Sequence, residues 1–99
     1  MTAYTADCAG CGARVACKPY TDISSTINFN DSTYGSVRIV AAGKDYPCGT
    51  IVDIDGIGKA IVLDRGGAIT GNDLDLLVNT NAWDFGRKYK QTKVLRWGW

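Results

Sequence analysis

Apolar and polar positions alternate in short bursts along this chain, and glycine, asparagine, aspartate or proline separates one burst from the next. Val37 to Ala42 (VRIVAA) sets Val37, Ile39 and Ala41 on one face and Arg38 on the other, the period expected of a strand. Thr50 to Ile54 alternates Ile51 and Asp53 against Val52 and Ile54. Lys59 to Leu63 (KAIVL) is continuously apolar after its first residue, as a strand covered on both faces would be. Thr2 to Ala6, Leu74 to Val78 and Thr92 to Trp97 complete the set. Short segments of this kind, bounded by turn formers, predict an all-β barrel or sandwich. A helix is predicted only over Thr80 to Lys88 (TNAWDFGRK), with Asn79 or Thr80 as its cap and Gly86 at its end. Residues 18 to 36 are polar and irregular and read as a long loop near the N-terminus, of a length that compact domains reserve for motion or function.

Composition narrows this picture. The 99 residues, 45% hydrophobic and 21% charged, suit one globular domain over residues 1–99. A net charge of +1 gives no field to steer nucleic acid or an acidic partner. Residues 87 to 96 hold five cations and no acid, which reads as a solvated strand face. Basic and aromatic residues there do not form a stacking platform for bases, so a nucleic-acid partner is not expected. No run approaches the roughly 20 apolar residues of a membrane helix, and no membrane insertion is expected. No charged-then-apolar leader precedes the opening strand, so the chain reads as a domain taken from a longer protein, with other domains as neighbours.

Cys8, Cys11, Cys17 and Cys48 are the only cysteines, and there is no histidine. Four cysteines allow three complete pairings. Cys8-Ala-Gly-Cys11 has the spacing of a zinc half-site but lacks a second half, so disulfides are the leading expectation, ahead of free thiols and zinc. Disulfides would place the domain in an oxidising compartment.

The stretch LDRGGAITGNDLDLL, residues 63 to 77, carries the chemistry. Asp64 and Asp75 stand eleven apart, with Gly66, Gly67 and Gly71 between them, and Asp73 shares the strand face of Asp75 by alternation. Asp64 to Asp75 fits D-x-G-G-A-I-x-G-x-x-[hydrophobic]-D, the pattern of the three-aspartate (3D) domain of membrane-bound lytic transglycosylase A and of small muralytic, stationary-phase-survival and phage proteins. Tyr4-Thr5-Ala6 resembles that family's opening strand. Pro47-Cys48-Gly49-Thr50 resembles its P-L-G-T turn, and Ala82 to Lys88 its A-x-x-W-G-R-R segment, with Phe85 in place of the tryptophan. The chain departs from the family where Val40-Ala41-Ala42-Gly43 replaces V-A-V-D-P. Ala42 stands where another aspartate is usual, and Asp45 follows three residues on.

The resemblance implies a six-stranded double-psi β-barrel. It also implies non-hydrolytic cleavage of the β-1,4 bond between N-acetylmuramic acid and N-acetylglucosamine in peptidoglycan, leaving 1,6-anhydro ends, with no cofactor. By position, Asp75 matches the catalytic aspartate and Asp64 its assistant. One carboxyl can act first as acid and then as base, since giving up its proton leaves it a base. Apolar neighbours and a second acid on an adjacent strand would raise its pKa from about 4 toward 6. Gly66 and Gly67 would let backbone approach a sugar closely. Asp73, Lys18, Asp45, Tyr46 and Trp83 are the further candidate substrate contacts, with Lys44 beside them. Trp97 and Trp99 could stack on sugars or pack against a neighbouring domain. The setting implied is the cell wall, outside the cell, or a phage tail. A non-catalytic, expansin-like wall-binding or wall-loosening module is the rival reading, and Ala42 is its main support.

Overall fold

Most strands form where the alternating pattern put them, and they join one mixed sheet. The computed structural model describes residues 2–4, 17, 27–65, 69, 74–78 and 91–98. Within these lie β1 (Thr2–Tyr4), β2 (Asn28–Asp31), β3 (Gly35–Ala42), β4 (Ile51–Ile54), β5 (Gly58–Arg65), β6 (Leu74–Leu77) and β7 (Thr92–Arg96). The strands run in the order β1-β6-β3-β5-β4-β7, and β2 folds back on β3 as a hairpin. β3 and β5 are parallel, as are β1 and β6, while the pairings β3–β6, β4–β5 and β4–β7 are antiparallel. The all-β expectation holds, with six strands along the main path. β1 and β7 end that path and do not pair with each other, so among the described residues the sheet is open rather than a closed ring. The predicted helix over 80–88 lies outside the described residues.

β3 and β5 hold the sheet together because both of their faces are covered. Val37, Ile39, Ile51, Ile61, Leu63 and Leu77 pack on one side. Val40, Ala42, Val52, Ile54, Val62 and Leu76 pack on the other. That is why VRIVAA and AIVL carry apolar residues at consecutive positions. Fully burying one such aliphatic side chain contributes about 1.5–3 kcal/mol.

One sequence expectation is corrected. The long polar loop over 18–36 contains β2, and β3 begins within it at Gly35. Asparagine and aspartate disfavour strands, so NFND shows little strand propensity. Pairing supplies what propensity lacks: Asn28, Phe29, Asn30 and Asp31 sit opposite Arg38, Val37, Ser36 and Gly35. The Asp31 carboxylate then accepts the Thr33 and Tyr34 N–H groups, both at 2.9 Å, and closes the turn.

Cys17 and Cys48 form a disulfide with a Cα–Cα distance of 5.8 Å and a sequence separation of 31. It ties the N-terminal region to the β3–β4 loop. Cys8 and Cys11 lie outside the described residues. The Pro47-Cys48-Gly49-Thr50 turn is tucked against β5: Gly49 N–H donates to the Val62 carbonyl at 2.8 Å, and Val62 N–H to the Thr50 carbonyl at 2.9 Å. Gly49 has φ 88°, a conformation other residues adopt at a cost. Thr50, wholly buried, donates its hydroxyl to the Pro47 carbonyl at 2.7 Å.

Candidate functional site

β3 lies between β5 and β6, and its last three residues, Val40, Ala41 and Ala42, pair with both acid-bearing strands. Ala41 is paired with Asp64 of β5 on one side and with Asp75 of β6 on the other. Residues directly opposite across a ladder point to the same face. Asp64, Ala41 and Asp75 therefore form one row across three strands, at the end of the sheet where β3 and β5 finish and β6 starts. With neighbouring strands about 4.8 Å apart, the backbones of the two acids are roughly 10 Å apart. A methyl group is all that the intervening residue adds between them. Both acids are half-buried.

This corrects the expectation that the acids sit on adjacent strands. The glycine-rich connection does not fold β5 directly against β6, because β3 is inserted between them. The acids still converge, through a local irregularity. Val40 pairs with Val62, but Ala41 pairs with Asp64, so β5 has an extra residue, Leu63, at this point. In regular register Leu63 would sit opposite Ala41. The bulge keeps Leu63 in the core and turns the next residue, Asp64, onto the same face. The Leu63 carbonyl accepts the Cys17 N–H at 2.8 Å, so the disulfide-bearing segment supports the irregularity.

Arg65 follows on the opposite face and organises the β3–β4 loop. Its backbone N–H donates to the Asp64 carboxylate at 2.9 Å. Its guanidinium donates through Nη1 to the Gly43 and Tyr46 carbonyls, and through Nη2 to Cys48 Sγ at 3.7 Å. Arg65 thus links the acid-bearing strand to the loop that holds two further candidates, Asp45 and Tyr46. Asp45 is exposed, as is Lys44. Tyr46 is buried, with its ring stacked on Trp97 at a centroid separation of 5.9 Å and an interplanar angle of 9°. Burial, and next the nearby Asp45 charge, push the Tyr46 phenol above its usual pKa. Gly66, Gly67, Asp73, Lys18 and Trp83 lie outside the described residues.

A second polar cluster escaped the sequence reading. Asp31, 4% exposed, accepts from Arg96 through both carboxylate oxygens, at 2.8 and 3.2 Å. Arg96 also donates to the Gly49 and Gly98 carbonyls and lies over the Tyr34 ring at 5.8 Å. The Arg96 hydrogen bond, helped by the turn N–H groups and opposed by burial, lowers the Asp31 pKa to about 2. Nothing in NDSTYG marks its aspartate as an ion-pair partner for a strand 65 residues away. Arg38, half-buried on β3, donates to the Leu77 carbonyl at 2.8 Å, and burial lowers its pKa. These two arginines serve the fold.

A groove of about 630 Å³ lies beside Asp53, Asp55 and Lys93 at the β4–β5 turn. That is the other end of the sheet from the acid row, since β5 starts there and Asp64 stands near its end. No three of its acids are grouped to hold a metal ion, nor are any others among the described residues. No helix among the described residues is long and apolar enough to cross a membrane.

No family model matches the chain, and no solved structure matches it. It is 33% identical over 97 residues to YabE of Bacillus subtilis strain 168, whose name assigns it to cell wall shaping. The match takes in 95% of this chain but 21% of YabE, so the chain spans about a fifth of that relative's length.

Proposed function

We propose that this chain is a peptidoglycan-cleaving module of the three-aspartate type, a lytic transglycosylase with Asp75 as its acid and then its base. The observation that supports this best is the row Asp64–Ala41–Asp75, in which a bulge brings the acids of the motif onto one face at one end of the sheet. Asp75 gives a proton to the glycosidic oxygen as the bond to the anomeric carbon breaks. The muramic 6-hydroxyl attacks that carbon and passes its proton to the Asp75 carboxylate. A 1,6-anhydro ring forms, the N-acetylglucosamine leaves with a free 4-hydroxyl, the acid is regenerated and no water is consumed. Asp64, across Ala41, stabilises positive charge at the anomeric carbon.

The likeness to a relative named for cell wall shaping supports the substrate class. A disulfide fits work outside the reducing cytoplasm, in the cell wall. The fraction of YabE matched fits a module with partner domains in a longer protein.

A second reading has its own support. Ala42, where the resemblance puts another aspartate, is wholly buried in the core, while Asp45 is exposed in the loop. On this reading the domain binds or loosens the wall without cutting it, as expansins do.

Purified peptidoglycan incubated with wild-type protein and with Asp75→Asn separates these readings by mass spectrometry of the products. Anhydro-muropeptides from the wild type, reduced at least about 100-fold in the variant, are expected from loss of an acid–base group. Equal release by both proteins would overturn the assignment of Asp75. Products carrying an added water would replace it with hydrolysis. Sedimentation with the wall and no released fragments would favour the binding module.

A further inference from the structure

Trp97 is the one large apolar side chain strongly exposed among the described residues, at 64%. A lone exposed tryptophan is common and by itself means little. What sets this one apart is how firmly its surroundings are held. Before it, Arg96 is bound to Asp31, Gly49 and Gly98. After it, the buried Gly98 N–H donates to the Thr50 hydroxyl at 3.0 Å. Gly98 has φ 75°, and a Cβ there would stand 3.4 Å from Pro47 and from the Cys48 carbonyl. The backbone on both sides is therefore fixed. The indole lies nearly parallel to the buried Tyr46 ring, whose carbonyl Arg65 holds. One face of the indole is backed and the other is open, with exposed Lys44 and Asp45 on the same loop.

We propose that Trp97, backed by Tyr46, is a stacking subsite for a pyranose ring of a β-1,4-linked amino-sugar strand. This rests on the wall-glycan reading above and names a binding element of it. Equatorially substituted pyranoses present a flat face of C–H groups and a rim of hydroxyl and amide groups. A flat, immobilised indole meets the first at little entropic cost. Position supports this occupant. β7 runs antiparallel to β4, and its last residue, Arg96, pairs with Ile51 at the start of β4, so Trp97 follows at the sheet end that carries the acid row. It lies on the β4–β7 side of that row, and its sugar would be remote from the bond that is cut. Binding there would serve to hold and orient the strand.

The test titrates tri-N-acetylchitotriose into wild-type, Trp97→Ala, Trp97→Phe and Asp75→Asn proteins, following indole N–H signals by NMR. The Trp97 signal, assigned by its loss in Trp97→Ala, is expected to shift and saturate in wild type and in Asp75→Asn alike. Trp97→Ala should bind about tenfold more weakly, the range of a single aromatic anchor, while Trp97→Phe keeps most of the affinity. Unchanged melting of the variants shows that the fold is intact. An unmoved Trp97 signal, or equal affinity in Trp97→Ala, overturns the subsite, the first being the outcome if this surface packs on a neighbouring domain. Trp97-dependent binding without any glycan cleavage would keep the subsite while removing the transglycosylase reading. Cleavage with sugar binding indifferent to Trp97 would do the reverse.

Discussion

Asp31 shows how much one side chain ties together at the residue scale. Its carboxylate closes the β2–β3 turn and receives Arg96 from the far strand. Its folded-state pKa of about 2 lies below the usual 3.8, so it stabilises the fold above pH 3.8 and loses that contribution as pH falls from 3.8 toward 2. Asp31→Asn is therefore expected to unfold at lower urea concentration than wild type at neutral pH, by roughly 2–4 kcal/mol, with the gap narrowing through that acid window. A gap independent of pH would show that Asp31 acts through shape alone. The motif acids were legible in the sequence because their spacing is specific. Asp31 was not, because its partner is brought to it only by the sheet.

At the scale of elements, the periodicity located the cores of β3, β4, β5 and β6, since apolar alternation and apolar runs reflect burial directly. It missed β2, which pairing rather than propensity creates. It also placed the acids on neighbouring strands, because a short glycine-rich link suggests a hairpin and strand insertion leaves no local mark. The β3–β4 loop depends on one side chain from outside it. Arg65→Met is expected to remove charged hydrogen bonds to two loop carbonyls and cost about 1.5–3 kcal/mol. Hydrogen exchange at the Gly49 and Thr50 amides should speed up well before β5 loses protection. Uniform acceleration across the sheet would mean that Arg65 supports the whole fold instead.

The whole molecule is two apolar layers on a shared sheet, clasped by a long-range cross-link. The chain pattern showed that disulfides were to be expected but left the pairing open, since only folding brings residue 17 to residue 48. A bridge across that separation contributes about 3–4 kcal/mol through the unfolded chain, and Cys17→Ser with Cys48→Ser should lower stability by a comparable amount. The same bridge sits against the bulge. Cys17 holds the Leu63 carbonyl and Gly49, next to Cys48, holds that of Val62, the two residues that set Asp64 in place. Oxidation thus braces the bulge as well as fastening the fold. In a thiol-rich compartment the bridge would open, and the acid row beside the bulge would loosen with it.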